Sequence, residues 1–295
     1  MRYNNVMHEA KTYVFYHGDC PDGFGGAYAA WKKFGDAAEY IPLGFSNFLD
    51  DEMLENIKGA TVYFVDFSYP KPWLDQVAAA AGTFTILDHH QGVEEVVMQY
   101  PGTVYDADRS GASIAWDYFH PGTPKPELIK YVEDDDLYRF ALPETRAVIS
   151  YLSVHPFSFE KWDEVAERLQ TDREKMLETM RIYAEEFALM ADISVNLAKL
   201  VEFEGHEVYF ANTHPIKPMK SLVGNLLVKK QGPFALVVSA HPLGYGVSIR
   251  GDGTVDVSKI AQKYGGNGHP NSSGFHVEND KPMPWKLVEH KPEKE

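Results

Sequence analysis

Apolar positions in the first half of the chain fall into short continuous runs separated by helical patterns. The runs are Thr12 to Tyr16 (TYVFY), Thr61 to Phe67 (TVYFVDF) and Thr83 to Leu87 (TFTIL). Such runs suit strands buried on both faces, as in a parallel sheet. Gly25 to Phe34 (GGAYAAWKKF) reads as an Ala-rich helix whose small residues permit close packing on a sheet. Trp73 to Gly82 reads as a second helix with a glycine stop. Strand, helix, strand, helix, strand predicts βαβ units and a parallel sheet.

The pattern then changes twice. From Phe159 to Leu200, Trp162, Val165 and Leu169, and then Met176, Met180, Tyr183 and Phe187, recur at helical spacing among many charges. That predicts a solvated amphipathic connector. Beyond it, Glu207 to Ala211, Phe234 to Ala240 and Gly246 to Arg250 read as strands, with helices at Ser221 to Lys230 and Val257 to Tyr264. The expected fold class is α/β: an N-terminal parallel-sheet domain over 1–158, a helical connector over 159–200 and a smaller α+β C-terminal domain over 201–280. The Pro-, Lys- and Glu-rich end, 281–295, is expected to be a mobile tail.

Composition narrows the functional classes. The 295 residues carry 43 acidic and 28 basic side chains, a formal net charge of -15. Extended duplex DNA and anionic membranes both demand a basic face, so neither is an expected partner. One cysteine, Cys20, rules out an intramolecular disulfide framework. No apolar run approaches the length of a membrane span, and a cytoplasmic location is expected.

Three groups of candidate ligands follow the three predicted strands: His17-Gly-Asp19-Cys20-Pro-Asp22-Gly23, then Asp66, then Asp88-His89-His90. A fourth is Glu133-Asp134-Asp135-Asp136. Open parallel sheets bind ligands at the carboxyl ends of their strands, so the first three could converge. Clustered carboxylates cannot all stay ionised without countercharge, and a divalent cation is the usual one. A mixed carboxylate and imidazole set suits Mn, Fe, Zn or Co. Taken singly, each residue has a plainer reading: Asp66 as a helix cap, His89 and His90 as ordinary histidines, Asp134 to Asp136 as an acidic turn.

Together these motifs resemble the DHH phosphoesterase superfamily. ILDHH at Ile86 to His90 resembles its signature. HGDCPDG (His17 to Gly23), VDF (Val65 to Phe67), SGAS (Ser110 to Ser113) and DLYRF (Asp136 to Phe140) resemble its other motifs, in order. In the C-terminal unit, GGNGHPNSSGF (Gly265 to Phe275), VSIR (Val247 to Arg250) and DVSKIAQKYGG (Asp256 to Gly266) resemble the DHH-associated domain. The resemblance spans about Thr12 to Val277.

What the resemblance implies is specific. His17, Asp22, Asp66, His89 and Asp136 would ligate metal, with Asp66 bridging two ions, Mn2+ foremost and Co2+ or Mg2+ as alternatives. Asp88 would support a metal-bound imidazole, and His90 would orient the phosphate or donate a proton. Arg250, Gly265, Gly266, Gly268 and His269 would grip substrate, the glycines through open backbone N–H groups, with the two domains facing each other across a cleft. The reaction would be hydrolysis, by a metal-activated water, of phosphodiester bonds in a short single-stranded oligonucleotide or small nucleotide, as by a nanoRNase-like 3′–5′ exonuclease. An exopolyphosphatase-like phosphoanhydride hydrolase and a catalytically weak nucleotide-binding protein are the alternatives. Aromatic residues near the C-terminal motif (Tyr245, Tyr264, Phe275) would favour nucleotides by base stacking. The chain departs from the family pattern at Cys20, where many members have Asp. Either Cys20 or Asp19 could take that place, and Asp134 or Asp135 could compete with Asp136.

Overall fold

A computed structural model describes residues 11–18, 20–44, 48–90 and 92–288. Two compact units meet between Arg181 and Ile182. In the first, the strands are β1 (Thr12–His17), β2 (Ala38–Leu43), β3 (Thr61–Val65), β4 (Thr83–Asp88) and β5 (Val104–Tyr105). Their pairings are parallel, in the order β2-β1-β3-β4-β5. The continuous apolar runs are explained by burial on both faces: Val14, Phe15, Val62, Phe64, Ile86 and Leu87 are all fully buried. Phe15, Phe64, Phe67, Leu74, Val77 and Ile86 belong to one cluster, against α2 (Asp51–Asn56), α3 (Lys71–Ala80) and α4 (Glu94–Val97). Against the same sheet pack α1 (Pro21–Phe34) and α5 (Gly111–Phe119).

Close approach of α1 to the sheet depends on its glycines. A Cβ at Gly23 would lie 2.1 Å from the His17 carbonyl oxygen, and one at Gly26 would lie 2.2 Å from Val65 Cγ1. The first unit continues through α6 (Glu127–Asp136), α7 (Thr145–Val154) and α8 (Phe159–Thr171). The helical spacing over α8 marks a buried face: Trp162, Val165 and Leu169 are almost wholly inaccessible. Trp162 meets Phe24 edge-on, with centroids 5.0 Å apart, so α8 is part of the first unit's core. The division between units falls within α9 (Arg173–Asn196).

The second unit is a seven-stranded sheet, β10-β11-β9-β8-β7-β6-β12. Its strands are β6 (Lys199–Phe203), β7 (His206–Asn212), β8 (Phe234–His241), β9 (Gly244–Gly251), β10 (Asn267–His269), β11 (Ser272–Glu278) and β12 (Lys286–Leu287). Among the described residues, only β7 and β8 of this sheet pair in parallel, through the crossover helix α10 (Lys217–Lys230). Val223 and Leu227 of α10 pack with Ala235 and Val237 in one cluster. Ile260 and Ala261 of α11 (Val257–Lys263) pack with Leu236, Val238 and Ile249 in another.

The expected mobile tail is corrected in part. Over the described residues up to Val288, β12 pairs with β6 and Trp285 packs edge-on against Phe203. An indole anchor of that size outweighs the polar composition around it. No helix among the described residues is long and apolar enough to cross a membrane.

Gly23→Ala is expected to destabilise the protein by about 1–3 kcal/mol, because the new methyl group meets backbone that cannot rotate away. Denaturant unfolding checks this, and an unchanged midpoint would mean that α1 is not held against β1 as described.

Candidate metal centre

The chain leaves β1 for β2 on one side and returns to β3 on the other, so the topological switch lies between β1 and β3. The carboxyl ends of strands at such a point form a natural crevice. His17 is the last residue of β1, Asp66 follows β3 directly, and Asp88 closes β4 ahead of His89 and His90. The predicted third-strand run, Thr61 to Phe67, stops two residues early because Asp66 takes a left-handed conformation, φ 63°. That turns the carboxylate out of the pleat, a conformation Asp tolerates better than most residues. Gly111 makes room for it, since a Cβ there would lie 2.6 Å from the Asp66 Cβ.

The SGAS segment is a scaffold for Asp22. Ser110 caps α5, accepting from the Ser113 amide at 3.2 Å. The Gly111 and Ala112 amides, in the first turn of α5, donate to the two Asp22 oxygens at 2.7 and 3.0 Å. A helix N-terminus thereby holds a carboxylate that is itself in the first turn of α1.

The predicted ligands come together. Asp66 Oδ2 lies 3.2 Å from His17 Nδ1, and Asp66 Oδ1 lies 3.1 Å from His89 Nε2. His89 Nε2 is also 3.5 Å from Asp22 Oδ2 and 3.4 Å from Asp136 Oδ2. Three sets of donor atoms could each hold a cation: His17, Cys20 and Asp66; Asp66, His89 and His90; Asp22, His89 and Asp136. Asp66 and His89 each belong to two of them.

Within the fourth motif the carboxylates have separate tasks. Asp134 accepts from the Ala141 and Leu142 amides at 2.8 and 3.1 Å and from the Thr145 hydroxyl, tying the end of α6 to α7. Asp136, further round the same helix, faces His89 instead. Asp19 lies outside the described residues, whereas Cys20 is buried beside His17 and Asp66. Asp88 is fully buried and supports His90 rather than the His89 imidazole. Its Oδ1 accepts from the His90 ring at 2.8 Å and from the His89 and His90 amides at 2.7 and 3.1 Å.

The electrostatics show what this arrangement demands. Burial raises Asp22, and the neighbouring Asp66 and Asp136 carboxylates push it further toward its protonated form. Burial opposes charge on His17 and His89, but both are raised. His17 is pushed up to about 11 by its hydrogen bonds to Asp66 and Cys20. His89 is pushed up to about 10 by Asp66, with Asp136 and Asp22 adding to it. Asp66 is held low against burial by those two imidazoles. Without a cation the cluster gathers protons. A divalent ion would meet the same need, so the donor set fits one.

In the second unit, Arg250, Ser272 and His269 are aligned across β9, β11 and β10. Arg250 is buried and donates from Nη2 to Ser221 Oγ of α10 at 3.1 Å. Gly224 lets it lie flat, as a Cβ there would come within 2.5 Å of Arg250 Cγ. The open N–H groups expected at the glycines are not found. Gly265 N–H donates to Gln262 O, Gly266 N–H to Ala261 O and Gly268 N–H to Asn267 Oδ1. Gly266 and Gly268 serve close packing: a Cβ at Gly266 would lie 2.1 Å from Gly274 O, and one at Gly268 would lie 2.5 Å from Ser273 Cα. Nor do Tyr264 and Phe275 offer a stacking platform, since they stack on each other at 4.7 Å beside the second core. Tyr245 is exposed but five positions from Arg250 along β9.

Two further residues lie close to the predicted ones. Lys220, on α10, is lowered by burial and by the positive charges of Arg250 and Lys217. Only the lysine-rich start of α10 hinted at it. Tyr138, with φ 59°, presents a partly exposed ring two residues past Asp136.

The fold is similar to those of solved structures. It resembles an exopolyphosphatase-related protein from Bacteroides fragilis, with a TM-score of 0.56 and 16% identity over 93% of this chain and 88% of that one. It also resembles RecJ from Thermus thermophilus, solved in complex with Mn2+, with a TM-score of 0.52 and 13% identity over 92% of this chain and 50% of that one. In sequence, it is 29% identical over 285 residues to the uncharacterized protein R106 of Acanthamoeba polyphaga mimivirus, covering 89% of this chain. The chain spans 66% of that relative's length. No family model matches the sequence.

The raised imidazoles set a pH dependence. A folded-state value above the unfolded 6.5 stabilises the metal-free protein fully below pH 6.5, and that contribution is lost as pH rises through about 10 for His89. The melting temperature of metal-free protein should therefore fall between these limits, and His89→Asn should flatten the slope. Equal slopes in both proteins would contradict the pairing described.

Proposed function

We propose that this protein is a divalent-metal-dependent phosphoesterase that hydrolyses phosphodiester bonds of short oligonucleotides or small nucleotides. The observation that carries it is the convergence of His17, Asp22, Asp66, His89 and Asp136 at the carboxyl ends of adjacent parallel strands. These five residues would hold the metal, Mn2+ being our preferred ion. When bound, divalent cations supply an activated water and neutralise charge on a phosphoryl group.

The chain's own residues then have separable tasks. Asp66 presents one oxygen to each of two ligand sets, and α5 fixes the Asp22 carboxylate from behind. Asp88 holds His90 through Nδ1, and His90 would move a proton to or from the substrate. Arg250 and Lys220 supply a cationic grip for a phosphate in the second unit. The net charge of -15 favours a short substrate, because a long strand needs an extended basic groove.

The phosphoanhydride alternative retains one favouring observation: Tyr264 and Phe275 are spent on core packing and not presented to a base. Tyr138, exposed two residues past Asp136 and edge-on to Phe140, is our candidate ring for a base. Purified protein should be tested with Mn2+ against dinucleotides, longer RNA, a cyclic dinucleotide, phosphoadenosine phosphate and polyphosphate. Dinucleotide turnover is expected, with Tyr138→Ala and Lys220→Met each raising KM by about tenfold, equivalent to ~1.4 kcal/mol. Turnover of polyphosphate alone would select the alternative. Failure to turn over any of them with Mn2+, Co2+ or Mg2+ would reject hydrolysis.

A further inference from the structure

The donor sets differ in chemistry. Asp22, His89 and Asp136 offer one nitrogen and two carboxylates, whereas His17, Cys20 and Asp66 offer nitrogen, sulfur and oxygen. The sulfur is not a stray cysteine near the site. Its donor atom lies within 4.8 Å of those of His17 and Asp66, and Cys20 is only 6% exposed. Cys20 also occupies the N-cap position of α1, where a side chain ordinarily accepts from the helix amides, yet it makes no such bond. The thiol instead contacts His17.

We propose that the two sets select different metals: His17, Cys20 and Asp66 form a thiophilic site for Zn2+ or Co2+, and Asp22, His89 and Asp136 form the site for Mn2+ or Mg2+. This inference rests on the metal-dependent reading above. Thiolate favours soft and borderline ions, while a carboxylate-rich set accepts hard ones. On binding, the Cys20 S–H bond breaks, its proton leaves to solvent, and the sulfur's electron pair forms the bond to metal; nothing is oxidised. Mg2+ alone would then leave the sulfur site unfilled, so the protein as it works would hold a mixed metal pair.

Cys20 is the single cysteine in the chain, so every thiol signal reports on this position. Co2+ titrated into metal-free protein should produce a sulfur-to-cobalt charge-transfer band in the near ultraviolet. Zn2+ should abolish that band by displacement, and Mg2+ should not. Cys20→Ser should lose the band and weaken Zn2+ affinity by about tenfold or more, while calorimetry still detects Mn2+ at the other set. Cys20→Asp should bind Co2+ without the band and prefer Mn2+ more than the parent does. It stands in for the serine variant should that one fail to fold, as judged by near-ultraviolet circular dichroism. Co2+ binding to the unmodified protein without a charge-transfer band would overturn the proposal and leave the metal-dependent reading intact. No binding of Co2+, Zn2+ or Mn2+ would overturn both.

Discussion

Everything at the ends of β1, β3 and β4 is organised around carboxylates held too close to share one charge state. Asp66 meets His17 and His89 on its two oxygens, and His89 is itself within 3.5 Å of Asp22 and Asp136. Bringing these groups together out of water opposes folding unless positive charge accompanies them. The second structural demand is rigidity. Asp22 is fixed by two amides of α5, Asp66 by a left-handed turn and a facing glycine, and His90 by Asp88. Side chains this constrained cannot relax away from one another, which keeps the demand for a cation in place.

The same constraint explains the small residues around the cluster. Gly23, Gly26 and Gly111 each face a neighbour at a distance no methyl group could occupy: a carbonyl of β1, a side chain of β3 and Asp66 itself. They are packing requirements imposed by the site on the helices that carry it. Gly266 and Gly268 follow similar logic in the second unit. Their amides, like that of Gly265, are satisfied within the protein, so any phosphate grip there has to come from side chains such as Arg250 and Lys220.

Much of this was readable in the chain because parallel strands buried on both faces appear as unbroken apolar runs. All three runs are strands, and polar residues at their ends stand out sharply. The weaker strands were not legible. β2 (AEYIPL) mixes charge, aromatic and proline at a sheet edge, and β10 lies inside a glycine motif that looks like a loop. The plentiful charges after Phe159 predict a solvated region, but periodicity alone does not say what an apolar stripe packs against. In α8 it packs against Phe24 and the first core. Within the acidic run, composition gave Asp134, Asp135 and Asp136 equal standing. What separates Asp134 from Asp136 is which way each faces at the end of α6, and that depends on the turn into α7.

The net charge of -15 first reads as an argument against nucleic acid, and that argument holds for surfaces that must wrap a long polyanion. It weakens at a site whose own acidic residues are metal ligands. Asp22, Asp66 and Asp136 contribute to the total, yet each divalent ion they hold would add two positive charges where a phosphate must approach. Under the proposed reading, the local field near the ligands reverses while the rest of the surface stays acidic. Such a protein would favour a short phosphate chain at the metal ligands over a long polyanion, which needs an extended basic surface.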